Sequence, residues 1–338
     1  MKPQAPFRRR LGALLAAGAL APALYALGSA PARAADEAAD WPSRPVTLLV
    51  PIAAGGGTDI IARAVADKLA PELGQPIVVK NQAGANGSVG TAAAARAPAD
   101  GYTILVGSIG THAANECLYK LPYDADKDFT PVALLAKYNN VVMVPADSPI
   151  KSLTDLVERA KAKPGQMTYA ITVVGSSAHL ALERFKFDAG VQMLGVPYNG
   201  AVPATVDVLG GRVDFMLDTV VSQFGNLSAG KARALATTSR DKRSDVLPDV
   251  PTVAEQGYPE YDVAGWTGLF VRSGTPDAIV QKIAAALRTV YATGELQKLL
   301  GTKGLDVTTT TQPEFADFVA SERKTWCDVI KAANIKVD

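Results

Sequence analysis

Five glycine-rich loops carry the side chains with which this 338-residue chain could recognise a small molecule. Each loop combines glycine with Ser, Thr, Asn or His, and none contains Lys or Arg. Glycine lets a ligand approach the backbone closely, and the polar side chains supply hydrogen-bond donors. This composition predicts that neutral donors hold an anion reversibly. The loops are 53–58, 84–88, 107–112, 175–179 and 198–200.

Three of these loops lead directly into predicted helices. A helix start exposes unpaired N–H groups and a partial positive charge, which together form a ready anion site. Each neutral hydrogen bond contributes only about 1 kcal/mol net, whereas micromolar affinity requires about −8 kcal/mol. Several loops must therefore act together on one ligand. Polar or glycine positions that we take as candidates are Gly56, Asn86, Ser108 and Asn199.

Acidic residues near the loops require a separate interpretation. Asp59 lies in the first turn of a predicted helix, where a carboxylate stabilises the helix by a few tenths of a kcal/mol. If Asp59 points into the binding cleft, the ligand must also carry an amine or hydroxyl donor. Asp207, Asp214 and Asp218 match no known cation-binding spacing, and we keep Asp218 among the candidate ligand-binding residues.

Enzymatic motifs are poorly matched. The first loop lacks the Gly-Lys-Ser/Thr of a phosphate-binding loop, and 175–178 is not a Gly-x-Ser-x-Gly elbow. Ser176 and His179 could touch across a helical turn, but no acid is indicated to complete a triad. A serine hydrolase therefore remains only as an alternative. With His112 and His179 as the only histidines, we predict no metal site and no cofactor.

Alternating strand and helix patterns must position these loops. The first half reads as strands at 46–50, 76–80 and 102–106 with helices between them, a βαβαβ run typical of a parallel sheet. A second α/β series follows Phe129, with strands at 141–144, 168–172, 194–197, 213–216 and 232–237. A long apolar segment, Val263–Val271, carries the chain back to the first half. Helices at 276–292 and 313–333 complete the pattern.

This pattern predicts an α/β fold of two lobes joined by two hinge crossings. We expect lobe 1 to comprise residues 35–138 and 265–338, and lobe 2 to comprise residues 139–264. Ligands of open α/β sheets bind beyond the carboxyl ends of the strands, where the glycine loops lie.

The first 34 residues are typical of an export signal. Basic residues, including Arg8–Arg10, precede an apolar run from Leu11 to Leu27, and Ala32-Arg33-Ala34 provides a cleavage pattern. The run contains Pro22 and is shorter than the roughly 20 residues of a spanning helix. We predict a periplasmic mature protein, and both the general and the twin-arginine export routes stay open.

Charge and cysteine content narrow the partners further. The formal net charge of +1 becomes −4 when the five basic residues of the signal are left out, so nucleic acid is not an expected partner. An oxidising compartment allows a disulfide between Cys117 and Cys327, but their separation in sequence does not establish one.

Motifs along the whole mature chain resemble the periplasmic solute-binding subunits of tripartite tricarboxylate transporters, the Bug-type proteins. The similarity runs from Trp41 to Val337, and it rests on the order and spacing of the motifs together. These include Trp41-Pro42, Ala54-Gly55-Gly56 with Asp59, Gly84-Ala85-Asn86-Gly87, Ala99-Asp100-Gly101-Tyr102, Val196-Pro197-Tyr198, Gly210-Gly211-Arg212-Val213-Asp214 and Pro248-Asp249-Val250-Pro251-Thr252.

The resemblance implies a Venus-flytrap fold in which the first two glycine loops hold a ligand carboxylate. It also implies a set of binding residues at the positions that match the loops of the family. These are Ala54, Gly55, Thr58, Asp59, Ser88, Thr111, His112, Ser176, Ser177, His179 and Tyr198.

We therefore expect a monomeric solute-binding protein, not an enzyme, that delivers a dicarboxylate or an aromatic carboxylate to the permease subunits of such a transporter. A protein that presents its ligand to a membrane sensor kinase is the alternative. The identity of the carboxylate stays open.

Overall fold

The computed structural model describes residues 40–332 and 335, so the predicted export signal at 1–34 lies outside the described residues. From Pro42 onward the chain forms one compact unit. Its strands are β1 (Val46–Val50), β2 (Ile77–Asn81), β3 (Thr103–Ser108), β4 (Phe129–Pro145), β5 (Thr168–Ile171), β6 (Leu194–Pro197), β7 (Phe215–Thr219), β8 (Ala232–Thr237), β9 (Ala264–Arg272) and β10 (Leu305–Asp306).

The helices that connect and flank these strands show the expected capping residues in several places. They are α1 (Gly57–Leu73), α2 (Ser88–Ala95), α3 (Asn115–Leu118), α4 (Leu153–Ala162), α5 (Ser177–Ala189), α6 (Ala201–Leu209), α7 (Val220–Ser228), α8 (Asp277–Ala292), α9 (Glu295–Gly301) and α10 (Gln312–Ala332). A π-helical turn, Gly110–Ala114, precedes α3. No helix in the described part is both long enough and apolar enough to cross a membrane.

The first half of the fold is built around β1, whose five residues are almost uniformly apolar and nearly all buried. A strand with this composition suits the centre of a sheet that is covered on both faces. β1 pairs in parallel with β2 and β3, and α1 and α2 connect the three strands. The predicted βαβαβ run is present, with element boundaries that differ by one or two residues.

Strand β4 joins the two halves and corrects the predicted strand at 141–144. It is 17 residues long, and the predicted segment is only its end. Phe129–Asn139 pairs with β9, whereas Asn140–Pro145 pairs with β7 and β8. The polar residues at 137–140 interrupt the apolar pattern, which is why the first part of the strand was not predicted. The sheet thus changes partners between two adjacent asparagines.

The second crossing lies beside the first and is bonded to it. Val263 N donates to Thr238 O at 3.0 Å, and Thr238 Oγ1 donates to Val263 O at 2.7 Å. Asn140 N donates to the same Thr238 hydroxyl at 3.0 Å. Thr238 is fully buried, so it links β4 to the segment that returns the chain to the first half.

The second half contains β5, β6 and β7 in a parallel arrangement, with β7 antiparallel to β4. Helix α7 was not predicted, because Gly225 and two serines weaken its helical pattern. Thr219 caps α7 by accepting a hydrogen bond from Ser222 N at 3.3 Å.

The carboxyl-terminal helix α10 is capped at its start and bonded to the first half near its end. At the predicted capping-box spacing, Thr311 N and the Thr311 hydroxyl both donate to Glu314 Oε2 at 2.8 Å. Farther along, Cys327 is bonded to Cys117 of α3, and the two Cα atoms are 5.6 Å apart. The disulfide ties α10 to the segment that follows the third glycine loop.

Candidate functional site

A small cavity lies where the carboxyl ends of strands from both halves meet. The segments that follow β1, β3, β5, β6 and β7 all contribute to it. Its volume of about 60 Å³ suits a compact molecule, since drug-sized ligands occupy pockets of roughly 300–1,000 Å³. Eight of the predicted ligand-binding residues line this cavity. They are Gly56, Thr58, Asn86, Ser108, Thr111, Ser176, Ser177 and Asp218.

Four helices begin at the cavity wall. α1 begins at Gly57 after β1, and α5, α6 and α7 begin beside Ser176, Gly200 and Thr219 in the second half. Each start presents N–H groups without partners in its own helix, and each carries a partial positive charge. Among the described residues that line the cavity, none is Lys, Arg or His. Oriented backbone dipoles and hydroxyl groups therefore supply the favourable potential for an anion.

Glycines allow the two halves to approach each other around the cavity. A methyl group on Gly57 would lie 2.7 Å from Thr219 Oγ1, and one on Gly200 would lie 3.1 Å from Ala53 Cβ. Gly175, whose φ of +77° favours glycine, packs against the Asn86 side chain. These contacts join first-half loops to second-half loops. The structure is therefore a closed arrangement in which side chains larger than hydrogen would keep the halves apart.

Tyr138 lies in the cavity wall and was not predicted from the sequence. It is 6% exposed and belongs to β4, one residue before the partner change. Burial raises the pKa of Tyr138 to about 12, although hydrogen bonding to Ser177 and Thr58 opposes that shift. The phenol therefore remains protonated at neutral pH, and its hydroxyl donates to Trp266 O at 3.4 Å, a long contact that a ligand acceptor could replace. Its only sequence signal was a polar residue within an otherwise apolar strand.

Tyr198 and Asn199 lie outside the cavity, in an adjoining groove that shares Asn86 and Gly200 with it. The Tyr198 hydroxyl donates to Asp207 Oδ2 at 2.8 Å, which fixes its ring at the groove wall. This groove is open to solvent, so it provides a route by which a ligand could reach the cavity.

Six further predicted residues are not among the residues that line the cavity. Ala54 and Gly55 are exposed at the turn before α1, and Ser88 is buried at the start of α2. The other three have side chains that are engaged in the protein's own hydrogen bonds or ring contacts. They are Asp59, His112 and His179.

Asp59 holds the first glycine loop in place through hydrogen bonds. Its Oδ2 accepts from Gly55 N at 2.9 Å and from Arg63 Nε at 3.0 Å, while Oδ1 accepts from Asn81 Nδ2 at 2.8 Å. Burial alone would raise the pKa of Asp59, but the hydrogen bonds from Arg63, Gly55 and Asn81 together lower it. Asp59 is therefore an ionised structural residue, and it does not impose a donor on the ligand.

The two histidines also position loops. His112 is fully buried, stacks on Phe270 with ring centroids 3.8 Å apart, and places Nδ1 2.8 Å from Thr111 Oγ1. His179 Nδ1 accepts from Gly175 N at 3.0 Å, which holds the turn before α5. Burial lowers the pKa of His112 to about 3 and also lowers that of His179. Both imidazoles are therefore neutral at physiological pH.

Asp218 is the acidic side chain that lines the cavity. It occupies the next-to-last position of β7 and is 5% exposed. Its Oδ2 accepts from Ser222 Oγ at 2.6 Å and from Gln223 Nε2 at 2.7 Å. Burial raises the pKa of Asp218, and these hydrogen bonds oppose the shift. The cavity thus combines neutral donors with one carboxyl group.

The family model that matches this chain is the tripartite tricarboxylate transporter family receptor, over residues 61–335. A UPF0065 protein of Pseudomonas sp. strain P51 is 39% identical over 86% of this chain and 86% of its own length. Protein BugT of Bordetella pertussis is 34% identical, over 88% of this chain and 91% of its own.

Several solved structures are also similar to this chain over most of its length. A protein of R. palustris with adipate has a TM-score of 0.85 and 35% identity, covering 88% of this chain and 99% of its own. The periplasmic binding protein BugD has a TM-score of 0.83 and 34% identity, with the same coverage. MatC from Rhodopseudomonas palustris with bound malate has a TM-score of 0.81 and 35% identity, covering 86% and 100%. The predicted two-lobe α/β fold is confirmed.

Because both histidines are buried and neutral, we expect the free energy of unfolding to fall in mild acid. Unfolded histidine titrates near pH 6.5, so below that pH the unfolded chain binds more protons than the folded chain. Stability is thus complete above pH 6.5 and declines as the pH falls toward the folded pKa. His112 alone should lower the free energy of unfolding by about 2 kcal/mol between pH 7 and pH 5.

Urea unfolding at a series of pH values measures this slope, the change in the free energy of unfolding per pH unit. The variant His112→Asn, which retains a polar group beside Thr111, should lose that part of the slope. An unchanged slope in the variant would show that His112 titrates in the folded protein.

Proposed function

The chain belongs to the tripartite tricarboxylate transporter family of receptors, and from this membership we propose that it captures a small organic carboxylate in the periplasm and delivers it to a membrane permease. It is a solute-binding protein, as the sequence predicts, and not an enzyme. The observation that carries the proposal is the meeting of four helix starts at one cavity that lacks cationic side chains among the described residues.

A carboxylate is the ligand group that this wall suits best. It accepts several hydrogen bonds at once, and its negative charge is favoured at helix N-termini. Two of the similar solved structures contain carboxylates, adipate in one and malate in the other. Thr58, Ser108, Ser176, Ser177 and Tyr138 are the side chains that we assign to the carboxylate.

We assign the lobes as residues 35–138 with 265–338, and residues 139–264, so that β4 and the segment before β9 form the two crossings. Ligand binding would then stabilise the closed arrangement through the glycine contacts between the loops. We further propose that the protein acts as a monomer.

A thermal-shift screen tests the proposal. The ligand-free protein is mixed with monocarboxylates, acyclic dicarboxylates and aromatic carboxylates, each with its amide as a control. At least one acid should raise the unfolding temperature, because a ligand at 100 times its Kd adds about 2.7 kcal/mol of stability. The matched amide should have little effect. No response to any acid by a protein shown to be ligand-free would contradict the proposal.

Closure of the lobes should depend on Gly57. In Gly57→Ala, the added methyl group would meet the Thr219 hydroxyl, which is held in place as the cap of α7. We expect at least about a tenfold loss of ligand affinity, because the halves can no longer meet fully; that loss corresponds to about 1.4 kcal/mol. Folding should be preserved, since Gly57 lies in the first turn of α1.

Gly225→Ala is the matched control, because Gly225 is also helical and no atom lies within 4 Å of the added methyl group. Its affinity should equal that of the unaltered protein by isothermal titration calorimetry. Equal affinity in Gly57→Ala as well would show that ligand binding does not require this approach of the lobes.

A further inference from the structure

Asp218 places a buried carboxyl group in a cavity whose other features favour an anion. The residue is 5% exposed, and it lines the same cavity as the starts of α1, α5, α6 and α7. No cationic side chain lines the cavity anywhere in the described ranges, 40–332 and 335. A ligand that carried only negative charge would therefore meet a like charge close by.

Contacts within the protein leave part of this carboxyl group available. Both hydrogen bonds that it accepts from side chains, from Ser222 Oγ and Gln223 Nε2, go to Oδ2. The backbone of Thr219 also hydrogen-bonds to the carboxylate. Within the described chain no side-chain hydrogen bond reaches Oδ1, and no ion pair involves Asp218. Ser222 and Gln223 are neutral, so they stabilise the carboxylate without cancelling its charge.

Asp59 differs from Asp218 in having a cationic partner. Asp59 is also buried, but Arg63 Nε lies 3.0 Å from its Oδ2, and Asp59 is not among the residues that line the cavity. Burying a carboxylate without a cation is unfavourable, and the penalty is relieved when a cationic partner arrives. The described residues that line the cavity offer Asp218 no cationic side chain, so a cationic partner would have to come from a ligand.

We infer that Asp218 selects a carboxylate ligand that also carries an ammonium group a few atoms away, and that it rejects dianions without a donor. The inference rests on the proposed function and narrows its ligand class. The helix starts and the Tyr138 hydroxyl bind the carboxylate end, and Asp218 Oδ1 accepts from the ammonium. Such a ligand is neutral overall, which matches a cavity with neutral donors and one carboxylate.

A series of acids that differ in one terminal group tests this selection. Butyrate, 4-hydroxybutyrate, 4-aminobutyrate and succinate end in methyl, hydroxyl, ammonium and carboxylate groups, respectively. Three- and five-carbon counterparts and the 2-amino acids of the same lengths vary the separation of the two groups. Calorimetry on the unaltered protein should show that an amino acid of the series binds at least about tenfold more tightly than its alkyl and dicarboxylate counterparts.

Asp218→Asn should remove this preference while preserving the shape of the side chain. We expect the amino and alkyl acids to bind within about threefold of each other, a difference of less than 1 kcal/mol, and the dicarboxylate to bind more tightly than before. Asp214→Asn is the control, because Asp214 precedes the other end of β7, is exposed, and accepts from Thr168. It should retain the preference of the unaltered protein.

The possible results separate the inference from the proposed function. Binding of the acids without preference for an ammonium group would overturn the inference and leave carboxylate capture intact. Failure of every acid to bind would overturn both. If Asp218→Asn does not fold, the selectivity of the unaltered protein alone decides the inference.

Discussion

Unpaired N–H groups at four helix starts are the interaction on which the cavity depends, because no cation lines it among the described residues. α1 approaches from the first half, and α5, α6 and α7 approach from the second. Each dipole acts only within its first turn, so the starts must be close together to attract one ligand. Strand β4 and the bonded crossing at Thr238 bring them there.

Neutral donors suit a protein that must release its ligand. A cation buried beside a carboxylate would slow dissociation, whereas individual neutral hydrogen bonds are modest in net strength. The binding free energy then depends on how many donors the two lobes bring together, and on how closely the glycines let them approach. Asp218 adds selectivity between ligands, since a carboxylate in an anion site repels a second negative group on the ligand and attracts an ammonium group.

The glycine loops could be predicted from the sequence because glycine, serine and helix starts have local signatures, and seven of their predicted residues line the cavity. The roles of Asp59, His112 and His179 could not, because their partners, Arg63, Phe270 and the turn at Gly175, become neighbours only in the folded chain. Tyr138 was missed for a related reason. Its neighbourhood depends on the partner change in β4, which leaves only a polar interruption in the sequence.

The most direct test of ligand capture by the helix starts is a crystal structure of the protein with a bound acid from the carboxylate screen. We expect electron density for the carboxylate between the start of α1 and the turn at Ser176-Ser177, with backbone N–H groups and hydroxyls as its partners. The lobes should be in contact at Gly57 and Thr219, as they are here. A ligand bound elsewhere, with the glycine turns packed only against the protein itself, would contradict the account.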